Sequence, residues 1–207
     1  MAKQKPKHIG IIPDGNRRWA VLNGMRKQDG YEYGLTPGLK LLNMAKKCGI
    51  EEITYYGFTV DNCKRPKDQV AAFRKACVDA VKLLTNEGAD LLVIGNWESE
   101  CFPKELLPFI KRTPVNGGGI KVNFLVNYGW QWDLGHIKED GQPYSKDISN
   151  IDLVIRWGGM RRLSGLLPIQ SVYADFYVED HLWPDYTDKD FIDALEWYKR
   201  QDVTKGG

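Results

Sequence analysis

Short apolar runs that do not alternate with polar residues constrain this chain most. HIGII (8–12), ADLLVIG (89–95) and DLVI (152–155) are nearly continuous apolar segments. A strand with one wet face alternates apolar and polar residues, whereas a continuous run suits a strand covered on both faces, as in parallel sheets. ITYYGF (53–58), IKVNFLV (120–126) and ADFYV (174–178) complete a set of six predicted strands. Helix-period segments lie between them. Thr36-Pro37 predicts a helix start, with Thr as N-cap and Pro at the first helical position. Leu39, Leu42, Met44 and Ala45 follow, and Gly49 is a natural stop. From Pro66 a long helix sets Val70, Phe73, Cys77, Val81 and Leu84 on one face and ends near Gly88. Lys104 to Arg112 predicts a shorter helix, and Asp188 to Arg200 an amphipathic closing helix. This alternation predicts an α/β fold: one domain over 1–207, with a central, mostly parallel six-stranded sheet flanked by helices. Residues 1–7 are expected to form a flexible lead.

Composition narrows the function classes. Net charge is +2, with 29 basic and 27 acidic residues. That is too balanced for a protein that coats nucleic acid through bulk charge, so anion binding must depend on where the arginines sit. Cys48, Cys63, Cys77 and Cys101 form no C-x-x-C pair and no His cluster accompanies them. Neither a zinc site nor a disulfide framework is expected, and reduced cysteines fit a cytoplasmic protein. MAKQKPKH does not read as a signal peptide, and no apolar run approaches the ~20 residues that span a bilayer.

In open α/β sheets, ligands bind beyond the carboxyl ends of the strands. The first strand runs into Pro13-Asp14-Gly15-Asn16-Arg17-Arg18-Trp19. Gly15 permits a sharp turn into a helix start, and Arg17 and Arg18 carry bidentate donors suited to phosphate. Asp14 would repel a phosphate, a conflict that Mg²⁺ between them removes. The residues alone leave a second reading open: a P-D-G turn in which Asp14 caps the helix and the arginines are solvated. The strand at 152–155 runs into Arg156-Trp157-Gly158-Gly159-Met160-Arg161-Arg162-Leu163-Ser164. Arg156, Arg162, Ser164 and backbone N–H groups freed by Gly158 and Gly159 could surround a diphosphate, so the two basic strand ends suit two diphosphates or one long polyanion. FTVDNCKRP (58–66) adds a polar loop on the same edge. GWQW (129–132) reads as core packing before a base-stacking platform, and His136 and His181 as surface residues. Gly117-Gly118-Gly119 is a loop without the Lys-Ser/Thr of a phosphate-binding P-loop.

Four of these segments together resemble the motifs of the cis-prenyltransferases, the undecaprenyl diphosphate synthase family. HIGIIPDGNRRWA, FTVDNCKRP, NYGWQWD and IDLVIRWGGMRRLSGLLPIQSVYADFYVEDHLWPDY match its signatures in order across nearly the whole chain. The resemblance implies a homodimer with a hydrophobic tunnel that joins an allylic prenyl diphosphate to a second C5 prenyl diphosphate. It implies Asp14 as catalytic carboxylate and Mg²⁺ ligand, with Gly15, Asn16, Arg17 and Arg18 on the allylic diphosphate. Trp19, Lys27 and Tyr31, and Phe58, Thr59, Asp61 and Arg65, are counted with the substrate-binding residues. Asn62 stands where a polar residue assists proton removal. Arg156, Arg162 and Ser164 would hold the second diphosphate, and Asp175 replaces a Glu that helps bind Mg²⁺.

The departures are specific. Tyr31 stands in place of a His, Cys63 of a Trp, Trp157 of a Thr, Met160 of a Glu and Gly165 of an Asn. Trp157 and Met160 are expected to alter the rim of the second diphosphate site. The D-G-Y variant and Pro168 resemble the cyclolavandulyl and lavandulyl diphosphate synthase branch, which joins head-to-middle. The alternatives are ordinary head-to-tail synthesis of a short or medium cis chain, and a non-catalytic partner subunit. No nucleic-acid partner is expected. Transient contact with a membrane surface during lipid release is compatible with a cytoplasmic location.

Overall fold

The computed structural model describes residues 4–114, 119–137 and 141–202. Residues 1–3, and Gly117 and Gly118 of the glycine run, lie outside the described residues. Lys7 is anchored, its N–H donating to Asp152 Oδ2 at 2.8 Å and its carbonyl accepting from Glu51 and Glu52.

Six strands form one sheet: β1 (His8–Ile12), β2 (Glu52–Thr59), β3 (Asp90–Ile94), β4 (Lys121–Tyr128), β5 (Leu153–Arg156) and β6 (Asp175–Val178). Their order is β3-β4-β2-β1-β5-β6. Every pairing is parallel. The chain starts in the middle, winds out to one side, then returns to pair β5 with β1. That reversal makes a topological switch point beside β1, where an open α/β sheet offers a crevice.

Three helices cover one face: α3 (Leu35–Lys47), α4 (Lys67–Asn86) and α6 (Asp188–Lys199). Leu41, Leu42, Ala45, Cys77, Val81, Leu84, Phe191 and Leu195 pack there on Ile9, Ile11, Ile53, Val93, Val122 and Ile155. Two predicted starts shift. The helical run already begins with α2 (Gly30–Tyr33), so Thr36 lies inside the first turn of α3 and is not its cap. The 104–112 segment is a 3₁₀ turn over Lys104–Phe109 that contains Pro108. α6 is capped by Thr187, whose Oγ1 accepts from the Asp190 N–H.

The other face is covered differently from expectation. Among the described residues, only the short α5 (Trp130–Gly135) is helical there. The irregular segments around Ile148, Ile151, Leu166 and Leu167 bury the rest of that face. They are held by buried Asp133, which accepts from the Tyr128 hydroxyl at 2.7 Å and from the Ser145 N–H and hydroxyl. Polar anchoring of this kind leaves no helical period for a sequence reading to detect.

Candidate active site

β1 ends at Ile12, paired with Arg156 at the end of β5. The next residues therefore meet by construction. Gly15 has φ 115°, and a Cβ there would lie 2.9 Å from the Leu182 side chain, so only glycine turns the chain into α1 (Asn16–Leu22). Asp14 is left facing Arg156. The Arg156 guanidinium, 4% exposed, donates to Asp14 Oδ2 at 2.7 Å and to Ser164 Oγ at 2.9 Å, and also to the Arg162 carbonyl. Arg18 stands 3.6 Å from the other Asp14 oxygen and donates to the Gly158 carbonyl at 2.9 Å. Ser164 adopts a left-handed φ of 54°, its carbonyl held by the Tyr56 hydroxyl at 2.8 Å.

A cleft of about 820 Å³ opens over these residues. Asp14, Gly15, Asn16, Arg17, Arg18, Lys27, Tyr31, Thr59, Asp61, Asn62, Arg65, Arg156, Arg162 and Ser164, all singled out in the sequence, line it. Its walls carry six Arg or Lys side chains against two carboxylates. Such an excess over low-dielectric walls favours a polyanion. Asn62 Oδ1 accepts the Thr59 N–H at 3.0 Å, which leaves the amide NH₂ as the group it can offer. Arg65 donates to the Tyr31 hydroxyl at 2.9 Å, and Tyr31 stacks on Phe73 with centroids 4.4 Å apart. Burial raises the Tyr31 pKa against the pull of Arg65 and Arg17, so its hydroxyl stays protonated and neutral.

A second, apolar pocket adjoins the cleft between α3, α4 and β2, sharing Pro13, Asn16, Tyr31, Gly57 and Phe73 with it. Its lining is largely apolar and includes Leu35, Leu39, Tyr55, Ala76, Leu84 and Phe124.

Several sequence-derived assignments land elsewhere. Phe58 is fully buried, edge-on to Phe73, and Trp19 donates to Asp185 Oδ1 at 2.6 Å. Neither lines the cleft. Trp157 does not form the rim of the second site: it is fully buried against Trp183 and Tyr186, because alternation along the strand sends its side chain away from that of Arg156. Met160 does line the cleft. The Gly158 and Gly159 N–H groups are not free for a phosphate, since they donate to the His181 and Glu179 carbonyls. Asp175 pairs with Leu153 at the start of its strand, three residues back from the Arg156–Val178 pair. Within one chain the fold does not bring it to Asp14. His136 and His181 are exposed, as read. Tyr56, Phe73 and the exposed lip residues Val21 and Leu22 also line the cleft and were missed. Phe73 carries the apolar helix period, which identifies burial and not a cleft.

The fold, the paired strand ends and the cationic cleft define an enzyme of the cis-prenyltransferase class. A profile described as putative undecaprenyl diphosphate synthase matches residues 12–206, and the chain belongs to this family. It is 32% identical to the ditrans,polycis-undecaprenyl-diphosphate synthase ((2E,6E)-farnesyl-diphosphate specific) of Yersinia pestis, covering 100% of this chain and 92% of that one. It is 30% identical to the enzyme of that name from Escherichia coli (strain K12), covering 97% and 90%. An isoprenyl transferase of Fusobacterium nucleatum is 32% identical, covering 100% and 98%. The crystal structure of lavandulyl diphosphate synthase from Lavandula x intermedia, in complex with dimethylallyl diphosphate, shares the fold with a TM-score of 0.81 at 24% identity, covering 98% of this chain and 99% of that one.

Proposed function

We propose that this prenyltransferase condenses an allylic prenyl diphosphate with a second C5 prenyl diphosphate, isopentenyl or dimethylallyl, and joins them head-to-middle. The observation that carries the reading is the cleft at the ends of β1 and β5: two carboxylates and six cationic side chains lie in it, with an apolar pocket opening from it. The allylic C–O bond breaks and pyrophosphate leaves with the bonding pair. The double bond of the second substrate forms the new C–C bond, and a proton is then lost. Arg17 and Arg18 would receive the leaving diphosphate. Arg156, Arg162 and the Ser164 hydroxyl would hold the other one. Asn62, with its carbonyl engaged, would donate to a phosphate oxygen, so its help in proton removal would come from positioning a phosphate as acceptor.

The donor set suits Mg²⁺ only in company with substrate. Asp14 supplies one carboxylate, both of whose oxygens face arginines, and a hard cation completes its shell with phosphate oxygens and water. When bound, Mg²⁺ would neutralise charge developing on the departing pyrophosphate. Asp175 would contribute only if a second copy carried it to the site. Leu163, Ile169, Val172 and Tyr173, exposed just before β6, are a surface such a homodimer would bury. Domain extent, 1–207, and cytoplasmic location belong to the same proposal. Among the described residues, no helix is long and apolar enough to cross a membrane.

Head-to-middle coupling is supported by Tyr31 and Met160, which put a phenol and a thioether into the cleft at positions where the family has His and Glu. Incubation with labelled dimethylallyl and isopentenyl diphosphates, followed by product NMR, decides the coupling: a branched product is expected, and solely linear cis products overturn it. Asp14→Ala is expected to lower turnover at least ~10³-fold with unchanged circular dichroism. Full activity in that variant removes the mechanism, and absence of pyrophosphate release from the unaltered protein points instead to a partner subunit.

A further inference from the structure

Three side chains of metal-ligating type, none of them lining the cleft, converge where β6 leads on to α6. Glu179 and His181 follow β6, and Asp190 lies in the first turn of α6. His181 Nδ1 stands 3.3 Å from Asp190 Oδ1 and 3.5 Å from Glu179 Oε1. One ligand atom from each of the three lies within 4.8 Å of the others.

Both carboxylates are held in place. The Glu179 side chain is 14% exposed, and its Oε1 accepts the His181 N–H at 3.1 Å. The Asp190 side chain is 7% exposed, and its Oδ2 accepts the Thr187 N–H at 2.9 Å, which leaves Oδ1 facing His181. Two carboxylates withdrawn from water side by side need a cation between them. Among the described residues no Lys or Arg forms an ion pair with either, and Lys189 pairs with Asp193 instead. The two His181 separations exceed the roughly 2.7–2.9 Å of a charge-assisted hydrogen bond. They match the edge of a tetrahedron around zinc, about 3.3–3.4 Å for bonds of about 2.0–2.1 Å.

We propose that Glu179, His181 and Asp190 bind a divalent transition-metal ion, Zn²⁺ best, through one imidazole nitrogen and two carboxylate oxygens, with water in the fourth position. The His181 side chain, 60% exposed, leaves that position open to solvent. Imidazole suits Zn²⁺ and not Mg²⁺, which separates this site from the one at Asp14. No cysteine takes part, so cysteine spacing carries no sign of it. An ion here clips residues 179–183 to α6. That segment backs both strand ends: the Glu179 and His181 carbonyls accept from Gly159 and Gly158, and the Trp183 N–H donates to the Asp14 carbonyl at 3.0 Å. The metal therefore braces the cleft from behind without touching substrate.

Titration of the chelator-stripped protein with Zn²⁺, read by calorimetry and by thermal unfolding, tests the site. One equivalent is expected to bind and to raise the unfolding midpoint, and excess Mg²⁺ is expected not to displace it. His181→Asn and Glu179→Gln are each expected to weaken binding at least ~10-fold. Co²⁺ in place of Zn²⁺ is expected to show a visible spectrum without thiolate charge transfer. A thiolate band places the metal on cysteine and overturns the proposal, as does an affinity unchanged in both variants. An imidazolium that merely shares its proton between the carboxylates binds no Zn²⁺, and that result overturns it too. The cobalt spectrum of the unaltered protein reports the ligands even if a variant does not fold.

Discussion

Arg156 shows how one residue couples two sites. Its guanidinium bridges the Asp14 carboxylate of the first strand end and the Ser164 hydroxyl of the second. Its Nε is buried without a partner, and removing the guanidinium would take from Asp14 its buried partner and leave Arg18 beside it. Arg162 differs: its side chain is exposed on the lip and contributes its carbonyl to Arg156. Arg162→Ala is therefore expected to raise KM for the nucleophilic substrate about ten-fold or more with little change in kcat, read from steady-state kinetics. An unchanged KM would misplace the second pocket. Both arginines were legible in the sequence because charge directly after an apolar strand is conspicuous. The fate of Trp157 was not, because side-chain direction depends on the pleat at that one position, and the buried ring cluster with Trp183 and Tyr186 lies 26 or more positions further along the chain.

At the scale of elements, the opposite end of the sheet holds a buried polar network that stitches β1, β2 and β4. His8 Nε2 lies 2.8 Å from Thr54 Oγ1, and His8 Nδ1 lies 3.0 Å from the Ser149 carbonyl. Asn123 donates to Glu52 and Thr54, and the Ser149 hydroxyl donates to Glu52 at 2.7 Å. Burial lowers the His8 pKa below its ordinary 6.5, outweighing the pull of Glu52. The unfolded chain thus takes up a proton at a higher pH than the folded one. The stabilisation from neutral His8 is complete above about 6.5 and is lost as pH falls through the window between that value and the lowered one. Burial also opposes the Glu52 carboxylate, but His8, Asn123, Ser149 and Arg112 hold its pKa below the ordinary value, so acid acts in the same direction there. Urea midpoints measured from pH 8 to pH 5 should fall, with a slope of at most about 1.4 kcal/mol per pH unit from His8. In His8→Asn that part of the slope should flatten; an unaltered profile would rule out His8 as its source. The strands themselves were legible as apolar runs. The network was not, since its members are spread from position 8 to position 149.

For the whole molecule, the two faces of the sheet differ in consequence. The face under α3, α4 and α6 is closed by long helices, while the other leaves Val172 67% and Tyr173 75% exposed beside the edge strand β6. Trp130, 43% exposed, packs against Gly165 on this side. Replacing Val172 and Tyr173 together by Lys should convert a dimer to a monomer in sedimentation velocity and lower turnover at least ten-fold, if Asp175 serves the site of a second copy. An unaltered protein that sediments as a monomer yet turns over fully would remove the homodimer. The sequence by itself determined the parallel α/β sheet, because double-sided burial demands continuous apolar strands. It also placed glycine and arginine directly after two strands, where the residues alone suit either an anion site or a solvated turn. Only the tertiary structure decided that these ends meet, that Trp157 turns inward and that the Gly158 and Gly159 amides are already taken. The lining of the apolar pocket by Tyr55, Leu84 and Phe124 likewise emerged only there. Each depends on contacts between segments far apart in the chain, which no local pattern of residues encodes.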